Sequence, residues 1–129
     1  MAAFKNICIV DDDDLFLKLS KFIMEDEDFA QKIHDFQDGR EALVYMNSLT
    51  LIDYPEILFL DINMPMMDGW EFLDALAESR IENKIKIYIT TSSINPIDYK
   101  KAEENPLIKG FISKPLDPKK LEKIIGENK

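Results

Sequence analysis

The chain has one cysteine, Cys8, so no intrachain disulfide can form, and its place in an apolar run reads as a buried, inert thiol. It has one histidine, His34. That excludes a histidine metal cluster and a Ser-His-Asp set with a spare base, and leaves His34 as an ordinary strand residue. Positive charge is the minority: 16 basic residues against 25 acidic ones give a formal net charge of −9. A field of that sign repels phosphate backbones and anionic lipid, so direct nucleic-acid binding is not expected. Long apolar runs are missing too, and Met1-Ala2-Ala3-Phe4-Lys5 lacks the apolar stretch of a signal peptide, so the expected location is the cytoplasm, without membrane insertion. At 129 residues there is no room for a second domain, so residues 1–129 are expected to form one. Only Glu127-Asn128-Lys129 follows Gly126, so no output domain is expected unless the chain is an excised fragment.

What is present is an alternation of short apolar runs and amphipathic segments. Asn6 to Val10 reads as a strand buried on both faces, running into Asp11-Asp12-Asp13-Asp14. Leu15, Leu19, Phe22 and Ile23 then predict the buried stripe of a first helix, capped by Asp13 or Asp14 and stopped by the acidic run from Glu25 to Asp28. Gln31 to Phe36 predicts an edge strand, and Asp38-Gly39 opens a helix carrying Ala42, Leu43 and Met46. Ile57 to Leu60, four apolar residues, predicts a strand with Asp61 directly at its carboxyl end.

A third helix starts near Gly69, with Trp70, Leu73, Leu76 and Ala77 on one stripe and Trp70 read as a helix-to-sheet contact. Met64, Met66 and Met67 before it read as loop packing. Lys84 to Thr91 predicts a fourth strand and Leu107 to Ser113 a fifth. Asn95-Pro96 and Asp117-Pro118 each place a capping residue before a proline at the first helical position, opening the last two helices. Five strands alternating with five helices imply a parallel sheet covered on both faces.

Ligands of open parallel α/β sheets bind beyond the carboxyl ends of the strands. At those ends the sequence places Asp11-Asp12, Asp61, Thr90-Thr91-Ser92 and Lys114. Side by side, these carboxylates must share protons or hold a hard cation, and oxygen-only ligation suits Mg²⁺ or Mn²⁺. One Asp61 oxygen then stays free as a nucleophile, with Lys114 and a threonine hydroxyl as further contacts for a phosphoryl group.

From Asn6 to about Ile125 the chain resembles the receiver domain of two-component response regulators, through Val10-Asp11-Asp12, the Asp61 to Gly69 segment, Thr91-Ser92 and Lys114-Pro115. The resemblance implies a flavodoxin-like, doubly wound sheet of order 2-1-3-4-5, and phosphorylation of Asp61 by a histidine kinase or a histidine phosphotransfer protein. It implies Mg²⁺ held by Asp12, with Asp11 assisting, together with Asp61 and the backbone carbonyl of Asn63. Lys114 becomes the cation on the phosphoryl group, and Pro115 a cis proline that aims it. Asn63 and Ser93 flank the approach of water. Thr91, in phase with Ile85, Ile87 and Ile89 and 30 residues after Asp61, is chosen over Thr90 as the switch hydroxyl. Phe111 matches the aromatic switch position, with a packed core aromatic as the other reading. A downstream protein is expected to read the face made by helix four, strand five and helix five. Two other functions compete. An aspartate-nucleophile phosphatase or phosphotransferase is disfavoured because Asn63 stands where a second acid is needed. A phosphorylation-independent interaction module is disfavoured because the acid, threonine and lysine set is complete.

Overall fold

The computed structural model describes residues 1–78, 85–92 and 95–128. Five strands form one parallel sheet in the order β2-β1-β3-β4-β5: β1 Phe4–Val10, β2 Ala30–Phe36, β3 Ile57–Asp61, β4 Lys86–Thr91 and β5 Ile108–Ser113. The helices are α1 Asp14–Asp26, α2 Gly39–Asn47, α3 Gly69–Ala77, α4 Pro96–Glu104 and α5 Pro118–Glu127, with a short 3-10 turn at Leu51–Asp53. The parallel sheet is the one the alternation predicted, and its order is the flavodoxin-like one that the resemblance implied. The edge position of β2 also follows the sequence reading, and the expected start of the fourth strand at Lys84 lies outside the described residues.

Because side chains alternate across a strand, the central strands feed two separate cores. Leu58, Leu60, Ile87 and Ile89 pack with α2 and α3 through Ala42, Met46, Phe72, Leu73 and Leu76. Ile7, Ile9, Phe59 and Tyr88 pack with α1 and α5 through Phe16, Leu17, Met24, Leu121 and Ile124. Cys8 is fully buried, and burial pushes its thiol far above the ordinary value, as expected of an inert residue. His34 sits on β2 with its ring 5.1 Å from that of Tyr45.

The stripe expected on α1 holds at Ile23, which packs against the core, and is corrected at its other three residues. Leu15, Leu19 and Phe22 are 65%, 52% and 70% exposed, whereas Phe16, Leu17, Ser20 and Met24 are buried. Apolar residues surround most of this helix, so periodicity admits more than one face. Docking on the sheet makes the choice, and the Asp13 side chain, which accepts from the Leu15 and Phe16 N–H groups, caps the helix in that setting. The acidic run also stops the helix later than expected, since Glu25 and Asp26 are still helical.

On α3 the buried residues are Gly69, Phe72, Leu73 and Leu76, while Ala77 is exposed. Trp70 corrects the reading in a second way. Its ring packs partly on the core, but its indole N–H donates to Asp98 of α4 at 3.3 Å and the Lys101 ammonium lies 5.1 Å from the ring centroid. The contact therefore joins two helices. Met64 and Met67 pack as expected, but Met66 is 76% exposed with φ of 69°.

The β4–β5 pairing skips one residue: Ile87 lies opposite Ile108 and Tyr88 opposite Gly110. A Cβ on Gly110 would meet two Tyr88 ring carbons at 2.8 Å, so the glycine is what lets this ring lie under β5. The tyrosine hydroxyl donates to Glu127 and accepts from Asn128, and the skipped Lys109 binds the Glu127 carbonyl at 2.8 Å. Gly126 lies within α5, where a Cβ would meet nothing.

Candidate functional site

The carboxyl ends of β1 and β3 set two acids side by side. Asp11 follows β1 and is fully buried; Asp61 is the last residue of β3 and 4% exposed. Both fall in phase with Ile7, Ile9, Ile57 and Phe59, so their side chains share the α1/α5 face of the sheet. Asp12 is exposed at the rim, and one carboxylate oxygen from each of Asp11, Asp12 and Asp61 lies within 4.8 Å of the other two. The Asp13 N–H donates to Asp11 Oδ1 at 2.9 Å and the Asn63 N–H to Asp61 Oδ1 at 3.3 Å, so both strand ends curl around their own carboxylates.

The loop after Asp61 is held by close approach. Gly69 donates its N–H to the Ile62 carbonyl at 3.1 Å, and a Cβ there would meet Ile62 Cα at 2.7 Å and the Asp61 carbonyl oxygen at 2.8 Å. Asp68 and Glu71 then form a capping box that starts α3.

Lys114 enters from the end of β5. Its backbone N–H donates to the Thr91 carbonyl at 2.7 Å, and the Lys114–Pro115 bond is cis, as the resemblance implied. Its ammonium lies 2.6 Å from Asp11 Oδ2 and 3.7 Å from Asp61 Oδ1, over the Phe16 ring at 4.5 Å from the centroid. The lysine thus pairs first with Asp11. Phe16 was missed in the sequence, because nothing in the spacing of α1 marks it as the floor beneath a cation.

Burial, and next to it the Asp11 charge, raise Asp61 from the ordinary 3.8 to about 7, with Lys114 and the Asn63 N–H opposing. Burial raises Asp11 as well. One ammonium does not balance three acids, and their converging oxygens fit a hard cation bound through oxygen.

The two threonines separate. Thr90 lies directly opposite Asp61 in the ladder and in phase with Tyr88, on the α1/α5 face. Thr91, the last residue of β4, is in phase with Ile87 and Ile89 and shares the other face with Phe111, whose ring meets Tyr99 of α4 edge-on at 5.5 Å. Ser93 lies outside the described residues.

The family model described as the response regulator receiver domain matches residues 7–126. The chain belongs to this family. As a receiver domain of two-component signalling, it is 27% identical over 130 residues to a probable methanogenesis regulatory protein of Methanothrix harundinacea, covering 95% of this chain and 80% of that one. It is 32% identical over 117 residues to the cyclic di-GMP phosphodiesterase response regulator RpfG of Xanthomonas campestris, covering 90% of this chain but 29% of that one. A two component response regulator from Cytophaga hutchinsonii superposes with a TM-score of 0.89 at 28% identity, covering 95% of both chains. The chemotaxis response regulator CheY4 of Vibrio cholerae, at 22% identity and a TM-score of 0.78 over 96% of this chain and 98% of that one, shares the receiver fold. No helix among the described residues is long and apolar enough to cross a membrane.

Proposed function

We propose that residues 1–129 act as a single cytoplasmic receiver unit in which Asp61 takes a phosphoryl group from a histidine kinase or a histidine phosphotransfer protein. The observation that carries this reading is the setting of Asp61: a nearly buried carboxylate at the end of the central strand, with two further acids within 4.8 Å and an ammonium at 3.7 Å. Asp11, Asp12, Asp61 and the Asn63 carbonyl would hold Mg²⁺ or Mn²⁺, which when bound supplies positive charge for the phosphoryl oxygens. A free Asp61 oxygen attacks phosphorus, and the donor's P–N bond breaks with its electron pair returning to the histidine nitrogen. Lys114 stabilises the oxygens gathered beside Asp61. The chain catalyses only its own phosphorylation and dephosphorylation.

The exposed stripe of Leu15, Leu19 and Phe22 begins where α1 leaves the acid cluster, so it supports docking of the phosphodonor beside the nucleophile. On the other side, Thr91 ends β4, and Phe111 on the neighbouring strand meets Tyr99 of α4 edge-on at 5.5 Å. This supports transmission to a downstream protein that reads α4, β5 and α5.

Intact-mass analysis with Mg²⁺ and acetyl phosphate tests the reading. One labile phosphoryl group should appear on the wild type and none on Asp61→Asn, while Asp13→Asn should label normally. Thr91→Ala should label but confine its amide chemical-shift changes to the neighbourhood of Asp61. Label on Asp61→Asn would move the acceptor elsewhere, and equal long-range shifts in Thr91→Ala would remove Thr91 from the path.

A further inference from the structure

Thr90 is fully buried, and its hydroxyl oxygen has no hydrogen-bond partner among the described residues. Valine has nearly the same shape and would fill the site without a stranded polar group, so the hydroxyl calls for a reason. Its surroundings provide one. Asp61 is its direct neighbour on β3 and Ile112 its neighbour on β5, and Thr90 is the last β4 residue in phase with the α1/α5 face. Lys114 starts beyond the end of β5, and its ammonium stands over Phe16 on that same face, 2.6 Å from Asp11 on β1. With the strands ordered β1-β3-β4-β5, the lysine stem crosses the end of β4 to reach there.

A threonine hydroxyl both accepts and donates. In the unmodified protein the ammonium is drawn to Asp11, farther along its path than Asp61. A phosphoryl group forming on Asp61 brings new negative oxygens to β3, the strand beside Thr90. We propose that Thr90 is a positioning residue for Lys114: as charge builds on Asp61, the ammonium leaves Asp11 and the Thr90 hydroxyl accepts one of its N–H bonds, holding it against the incoming phosphoryl oxygens. This rests on Asp61 as the phosphoacceptor. Thr91 keeps a separate task on the opposite face.

The test compares wild type, Thr90→Val and Thr90→Ser, each with Lys114 intact and with Lys114→Met. Labelling uses acetyl phosphate and Mg²⁺: the Asp61 oxygen forms a bond to phosphorus, and the P–O bond breaks with its electron pair leaving on acetate. Losing one hydrogen bond to the charged group should slow labelling of Thr90→Val by about ten- to a hundredfold. Thr90→Ser should restore the wild-type rate, and Thr90→Val should add nothing in the Lys114→Met background. Unmodified, metal-free Thr90→Val should melt no lower than wild type, because the hydroxyl it removes is idle there. Wild-type labelling of Thr90→Val, an equal slowing without Lys114, or a clearly lower melting temperature of the unmodified variant would each overturn the proposal alone. No label on the wild type would overturn the phosphoacceptor reading and this proposal with it.

Discussion

Replacing Asp61 with asparagine removes a titrating group while keeping its shape, and burial next to Asp11 makes the expected effect depend on pH. The native carboxyl holds its proton up to about pH 7 against an ordinary 3.8. Between those values the native state binds more protons than the unfolded chain, so stability falls as pH rises through the window and is flat above it. At about 1.4 kcal/mol per tenfold of proton affinity, the full gap is worth about 4 kcal/mol. That figure is an upper bound, since the acids titrate together and Lys114 follows whichever is charged.

We therefore expect Asp61→Asn to be more stable than wild type by about 1 to 3 kcal/mol near pH 8.5 without divalent cations, a rise in Tm of roughly 4 °C per kcal/mol. Near pH 4.5 most of the advantage should vanish, because wild-type Asp61 is then largely protonated in the native state. Adding Mg²⁺ at the higher pH should stabilise wild type and narrow the gap. Thermal unfolding followed by circular dichroism at both pH values decides it. An advantage of the same size at both, or a variant less stable than wild type near pH 8.5, would show that burial of the Asp61 charge is not the cause.

Gly110→Ala should cost about 1 to 3 kcal/mol because its Cβ meets the Tyr88 ring at 2.8 Å, and most of the loss should disappear in Tyr88→Leu, as a double-mutant cycle in urea would reveal. Met66→Asn should raise stability by about 0.5 to 1 kcal/mol, since asparagine tolerates the left-handed backbone better than methionine, and an unchanged or lower Tm would argue against strain at this residue. Asp12→Ala should weaken Mg²⁺ binding at least about tenfold in calorimetry while leaving the metal-free unfolding free energy within roughly 0.5 kcal/mol of wild type, because Asp12 is the exposed member of the cluster. Trp70 fluorescence should follow α4 more than the acid cluster, so Asp98→Asn should change the emission of the unmodified protein.

Much of this architecture was legible along the chain because it is written locally. Apolar runs such as Ile57–Leu60, the Asn95-Pro96 and Asp117-Pro118 caps, and acids directly after strands are near-neighbour signals that survive without tertiary information. Grouping Asp11, Asp12, Asp61 and Lys114 required only the rule that parallel strands present their carboxyl ends together, and the structure does bring these four side chains to one place.

What tertiary structure decided is facing. Helix α1 is apolar around most of its circumference, so only docking on the sheet determines that Phe16 and Leu17 go in while Leu15, Leu19 and Phe22 stay out. Trp70 turns to α4 because Asp98 and Lys101 are there to meet it, a contact 28 residues away for Asp98 that no local pattern encodes. For the threonines, alternation placed Thr91 in phase with the isoleucines, yet only the register of β4 against β3 shows that Thr90 lies beside Asp61. Local sequence specifies which residues lie at strand ends and in which phase; the side-chain partners across strands and helices exist only after the sheet has closed its register.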